Sequence, residues 1–283
     1  MDLNDISVAK GPLRDEVFAA NRATGRIALR VVAGANGSRP AHVHESGSLR
    51  VRFPNRDGGV LDAVIVNTGG GMTGGDRFDL DIDVASRARV CMTTAAAEKI
   101  YRSLGPDTEL SVRLAVGSGG MLAWLPQETI LFDRSRLRRK IGVDLADDAS
   151  LLMAEASIFG RSAMGESVTS GIFLDRWRVR VGGGLVFADA IRLDGGIARL
   201  LAERAVARGG VAVASVVKIP GGEENAAAVR AYQADFVGEV GVSAWNGVAV
   251  ARCVAADGAA LRHDLTRVLT ALGGAPLPRL WMN

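Results

Sequence analysis

A glycine-rich loop between two apolar strands constrains this chain most. Residues 69–76 read Gly-Gly-Gly-Met-Thr-Gly-Gly-Asp, after an apolar run of Leu61, Ala63, Val64, Ile65 and Val66 that predicts a buried strand. Gly69, Gly71 and Gly74 match the G-x-G-x-x-G spacing of a dinucleotide turn, so an NAD-dependent oxidoreductase is one reading. That reading needs a helix N-terminus next, because backbone amides and the helix dipole hold the pyrophosphate. Residues 77–84 are instead Arg-Phe-Asp-Leu-Asp-Ile-Asp-Val, apolar at every second position, which predicts a strand with one buried face. Asp76 would repel a phosphate, and no Lys-Ser or Lys-Thr closes the glycines as in a P-loop. The loop therefore reads as a turn between strands, and the oxidoreductase reading is disfavoured.

Alternation continues after Ala85-Ser86, with Ala88, Val90 and Met92 on one parity. A tight connection over residues 84–86 would set Asp83 against Arg87 and Asp81 against Arg89, pairs worth about 0.2–1 kcal/mol each. The acidic row of Asp79, Asp81 and Asp83 then reads as a salt-bridged solvent face. Further strands are expected over residues 26–32, 49–53, 110–116, 172–181, 185–193 and 211–219, and two more are joined at Pro126 with Gln127 and Glu128 at a solvated corner. Hairpins are expected at Gly182-Gly183-Gly184 and Asn246-Gly247. Arg134, Arg136, Arg138 and Lys140 recur at period two, a basic stripe expected on a charged edge strand. No aromatic residues interleave with it, which argues against nucleic acid.

Helical spacing appears late: over residues 197–207, from Glu223, and from a cap at Asp257 through Leu261, Leu265, Val268, Leu269 and Leu272 to Gly273. There is no internal sequence repeat. A single domain over residues 1–283 is expected, with residues 1–21 a loose N-terminal arm.

Candidate metal ligands are few. His42 and His44 alternate within a loop expected after the first strand, but no third ligand stands nearby, so they read as exposed. Glu155 sits inside the apolar run of residues 151–159, where a carboxylate must be paired, protonated or metal-bound. Arg161 can pair with it or with Glu166. The three histidines form no recognisable constellation with a nucleophile, which leaves a hydrolase little support. Cys91 and Cys253 fit no zinc or redox spacing and read as buried hydrophobes. No basic or apolar leader opens the chain and no apolar run reaches membrane-spanning length, so a cytoplasmic protein that contacts no membrane is expected.

Several strings together resemble the UreD (UreH) family of urease accessory proteins. They are residues 69–76, then Thr-Thr-Ala-Ala-Ala-Glu-Lys-Ile-Tyr-Arg-Ser at 93–103, Trp-Leu-Pro-Gln-Glu at 124–128, and Gly-Arg-Ser-Ala-Met-Gly-Glu at 160–166. Residues 186–195 and 278–281 add to them, whereas Gly47-Ser48-Leu49 departs from the family's Gly-Pro-Leu. The resemblance implies a mostly β, elongated, two-layered, β-helix-like fold with a few helices near the C-terminus. It implies a non-enzymatic scaffold or metallochaperone that binds a UreF-type partner and, through it, the GTPase UreG. That assembly docks on apo-urease and delivers nickel to its carbamylated-lysine site, the metal passing through the UreD-type protein. No permanently bound cofactor is implied, only nickel in transit. Asp76, Glu155 and Glu166 are the candidate carboxylates for cation handling, though Asp76 can equally cap the glycine turn through backbone amides.

Overall fold

Inward and outward positions alternate in strand after strand, and the chain satisfies that pattern by winding. The computed structural model describes residues 22–54, 59–161, 164–273 and 277–282. The arm expected over residues 1–21 lies outside the described residues. β1 (Thr24–Gly34) and β2 (Gly37–Gly47) form a hairpin in a first sheet. β3 (Leu49–Arg52) and β4 (Leu61–Asn67) pair antiparallel in a second.

From there the chain coils. β5 (Arg77–Val84) returns to the first sheet, β6 (Arg89–Thr94) crosses to the second, and short β7 (Glu98–Ile100) comes next. β8 (Thr108–Val116), β9 (Met121–Trp124) and β10 (Thr129–Leu131) repeat the circuit, and β11 (Arg136–Leu145) with β12 (Ser150–Phe159) make the next. β13 (Gly171–Val181) closes the parallel run, so that β1, β5, β8, β11 and β13 lie side by side and parallel. In the second sheet β4, β6, β9 and β12 do the same. β14 (Gly184–Gly195) then folds back along β13 through Gly182 and Gly183, both at positive φ. The repeat is in the geometry of the coils and not in the sequence.

Helix α1 (Ile197–Ala202) leads into β15 (Ala212–Ile219), which pairs antiparallel with β12. Helix α2 (Glu223–Arg230) precedes the hairpin of β16 (Glu239–Trp245) and β17 (Val248–Ala255), which turns at Asn246-Gly247 as expected. Helix α3 (Gly258–Gly273) begins where the Asp257 carboxylate accepts from the Ala260 amide (2.9 Å). Among the described residues, no helix is long and apolar enough to cross a membrane.

The core explains two features of the sequence. Between the sheets, Ile27, Phe78, Ile82 and Leu114 meet Leu61, Val90, Met92 and Leu122. On the outer side of the second sheet, Leu261, Leu265, Val268 and Leu269 of α3 pack on Leu152, Ala154 and Ala156. β12 is therefore covered on both faces, which is why its sequence is an apolar run with no alternation.

The tight β5–β6 hairpin does not form. β5 and β6 lie in different sheets, with Arg87 at positive φ (61°) in the corner between them. Both strands carry the period-two pattern, and that pattern is equally served by pairing with each other or by facing each other across a core. Asp83 accordingly pairs with Arg30 (3.4 Å) and Asp81 with Arg113 (3.2 Å), on the strands to either side. The stretch with His42 and His44 is strand β2, not a loop, and both histidines are exposed on it. Arg136, Arg138 and Lys140 of the basic stripe lie on β11 in mid-sheet, between β8 and β13, and not on an edge, while Arg134 lies in the turn before the strand. Gln127 and Glu128 are buried, because the corner they occupy is covered by the C-terminal segment: the Gln127 amide donates to the Leu280 carbonyl, and Arg262 lies against both side chains.

Candidate functional site

The winding brings charged side chains into the interior. On β11, Leu137, Arg139, Ile141 and Val143 share the inward parity, so Arg139 projects between the sheets and is 2% exposed. Directly across on β13 stands Asp175, between the inward Phe173 and Trp177. Arg139 clasps it with two parallel bonds, Nε to Oδ1 at 2.9 Å and Nη2 to Oδ2 at 2.6 Å. From the opposite sheet Glu155 reaches Arg139 Nη1 with Oε2, while its Oε1 accepts from the Trp124 indole (2.8 Å). Thr129 Oγ1 lies 3.3 Å from the same Nη1.

One guanidinium thus serves two carboxylates in the buried interior. Burial, opposed by Arg139 but reinforced by Asp175, pushes Glu155 up to about 7. Arg139 is held above its ordinary value: burial works against its charge, but the fields of Asp175 and Glu155 outweigh that. Arg161, which the sequence allows to pair with Glu155 or with Glu166, is not involved and pairs with Glu166.

The polar stripe extends beyond this cluster. Glu98 on β7, Thr129 on β10 and Ser157 on β12 are register partners in successive parallel strands, so their side chains share one face. Glu155 lies two residues from Ser157 and has the same parity. Glu98 is half-buried, accepts from Asn67 Nδ2 (2.9 Å), and is pushed by burial up to about 7 against that hydrogen bond. Sequence reasoning misses Glu98, Arg139 and Asp175. For Arg139 a signal exists, since it has the parity of Leu137 and Ile141.

Asn67 joins the stripe to the glycine loop, where its Oδ1 accepts from the Gly69 amide (2.9 Å). Asp76 closes that loop: Oδ1 accepts from the Ala23 amide (2.8 Å) and Oδ2 from the Thr73 amide (2.7 Å). The glycines serve close packing. A Cβ at Gly74 would lie 2.5 Å from the Pro106 carbonyl oxygen, and one at Gly71, where φ is +150°, 2.9 Å from that of Lys99. β5 comes next, as expected, with no helix to receive a pyrophosphate.

Glu166 is half-buried, bonded to Arg161 Nε (2.7 Å) and close to the Asp133 amide (3.4 Å). Asp76, Glu155 and Glu166 therefore have separate sets of partners. Among the described residues, no three His, Cys, Asp or Glu side chains gather into a metal-holding group.

Residues 23–282 match the family model of the UreD urease accessory protein. The chain belongs to the UreD family. It is 53% identical over 268 residues to a urease accessory protein UreD of Rhodopseudomonas palustris strain CGA009, covering 95% of this chain and 96% of the relative. It is 55% identical to the UreD of strain HaA2 (94% and 96% covered), and 52% identical to that of Bradyrhizobium diazoefficiens (94% and 96%).

The first four strings that carry the UreD resemblance are far apart in sequence and stacked in space. The Met72 amide donates to Lys99 O and the Tyr101 amide to Met72 O (2.7 Å each), tying the first string to the second. The Glu98 amide donates to Glu128 O (2.9 Å), tying the second to the third. The Gly160 amide donates to Leu131 O (2.8 Å), and Arg161 lies over the Phe132 ring, 4.2 Å from its centroid. Tyr101 meets the same ring edge-on. Ser162 and Ala163 of the fourth string lie outside the described residues. In a coiled β fold the same corner of each turn lands beside the last, so a UreD signature scattered along the chain becomes one continuous edge.

Proposed function

We propose that this urease accessory protein is a non-catalytic scaffold, working in the cytoplasm, that joins UreF- and UreG-type partners to apo-urease and assists GTP-dependent nickel insertion. Nickel is its cargo, held in transit by carboxylates. Asp76, Glu155 and Glu166, read from the sequence, are assigned to this transit, and Glu98 joins them. What supports the reading is the interior run from Glu98 past Thr129 and Ser157 to Glu155. Two carboxylates there are pushed up to about 7, so neither is locked in one charge state near neutral pH. Oxygen donors of that kind bind a divalent ion and let it go.

The test uses Glu98→Gln and Glu166→Gln. Both side chains are half-buried, and a near-isosteric amide keeps the Asn67 contact of residue 98. Urease matured with each variant is assayed for nickel, beside the variant's melting temperature and its co-purification with the UreF-type partner. Low nickel with unchanged melting and intact complexes supports transit. Full nickel loading with both variants removes the transit role, and a wild-type chain that ignores its partners at micromolar concentration removes the scaffold.

A further inference from the structure

Strand parity sorts the charges of β11 and β13 onto the two faces of the first sheet. Arg139 and Asp175 turn inward, while Arg136, Arg138, Lys140, Arg176 and Arg178 turn outward. Half of the outward cations on these strands are matched nearby. Asp107 serves both Arg136 (2.7 Å) and Arg138, and Asp144 lies 4.0 Å from Arg180. On neighbouring β14, Arg192 meets Asp194 at 3.3 Å.

Lys140, Arg176 and Arg178 differ: among the described residues none of them has a carboxylate within 4 Å. Lys140 and Arg176 are also direct register partners across β11 and β13, two like charges side by side. Directly opposed like charges destabilise a sheet. The register continues to Ser111 on one side and Ala190 on the other, the row before holds Arg138 and Leu174, and the next row sets Arg113 and Arg178 on either side of Gly142. A Cβ built on Gly142 would meet nothing within 4 Å. The two cations therefore stand among further arginines on a basic face, at a cost to the free protein.

We propose that this face, where β11 and β13 meet, docks a carboxylate-bearing surface of a protein partner. Opposed cations left without a counter-charge gain most from a surface that supplies one, and complementary charge sets orientation and speeds encounter. Nucleic acid fits worse, because Phe173, Trp177 and Phe187 all turn inward and offer this face no ring for a base. The proposal rests on the scaffold reading above, which supplies the candidate partners.

Lys140→Glu is the discriminating variant. It places a carboxylate opposite Arg176, so the folded chain should melt at the same or a higher temperature while the face loses much of its positive charge. Wild type and variant are titrated separately with the purified UreF-type partner and with apo-urease, at about 0.05 M and about 0.5 M salt, where screening is strong. The expected result is at least tenfold weaker binding of one partner at low salt, with the deficit shrinking at high salt and melting unimpaired. Equal affinity of variant and wild type for both partners at low salt overturns the docking face and leaves the scaffold standing. Wild type that binds neither partner overturns both. Lost binding to duplex DNA, with protein affinities unchanged, overturns the proposal in favour of nucleic acid.

Discussion

Arg139→Met should be among the most damaging single changes in this chain. The substitution keeps an unbranched apolar stem and deletes a guanidinium that bonds both oxygens of Asp175, one of Glu155 and the hydroxyl of Thr129. The two carboxylates left behind are 3% and 5% exposed at the side chain. Breaking a buried ion pair from one side costs about 3–5 kcal/mol. At roughly 2–4 °C per kcal/mol for a chain of this size, the melting temperature should fall by about 10 °C. The loss should depend on pH with a definite sign. In wild type, Glu155 in the folded chain sits near 7 against 4.5 for an ordinary glutamate, so from about 4.5 to 7 the folded state binds more protons than the unfolded one. Stability from this group therefore falls as pH rises through that window. Arg139 opposes the rise, so without it the window widens upward, and the deficit should be larger at pH 8 than at pH 5. Urea unfolding of wild type and variant at both pH values measures this, with Arg139→Met/Glu155→Gln/Asp175→Asn expected to recover part of the loss. A deficit under about 1 kcal/mol, or one equal at pH 5 and 8, would refute the account of this cluster.

Two further outcomes concern buried groups elsewhere. Asp264 is fully buried and accepts from the amides of Val237 (2.8 Å) and Gly238 (2.7 Å), so Asp264→Ala should cost about 2–4 kcal/mol through two abandoned donors, read by urea unfolding. Burial pushes Cys91 and Cys253 up to about 12, so neither should react with a thiol reagent at pH 8 in the native protein, and both should after unfolding.

Much of the fold is legible in the sequence, and the part that is not has one cause. Parity identifies which side chains of residues 77–84 and 110–116 face a core, because alternation arises from the pleat alone. It does not say whether the next strand lies beside or opposite, since a hairpin and a coil impose the same alternation; the β5–β6 pairing fails for that reason. The glycine loop reads correctly as a turn because the strand after it is local information. Glu155 stands out by composition, one carboxylate among apolar neighbours. Its partner does not, because Arg139 is flanked by Arg138 and Lys140 and hides among them unless its parity is read. Glu98 is invisible for a different reason: its environment is made by Asn67, thirty-one positions earlier, brought close only by one turn of the coil. The stacking of the UreD strings is likewise a property of winding, which no string carries by itself.

A stack of parallel coils has two open ends, each offering a row of free backbone groups on which another copy could continue the winding. Here antiparallel hairpins occupy both ends. The first sheet terminates in β2, which carries Pro40 and a register shift opposite Arg30 and Val31, and the second in β3, only four residues long. At the far end lie β14 and β16, both running against their neighbours. A second molecule arriving end-on meets reversed strand direction, a missing donor at proline and a broken ladder, none of which templates a parallel strand. The molecule can thus expose extended β surface for assembly with partners of a different kind while being a poor seed for filaments of itself.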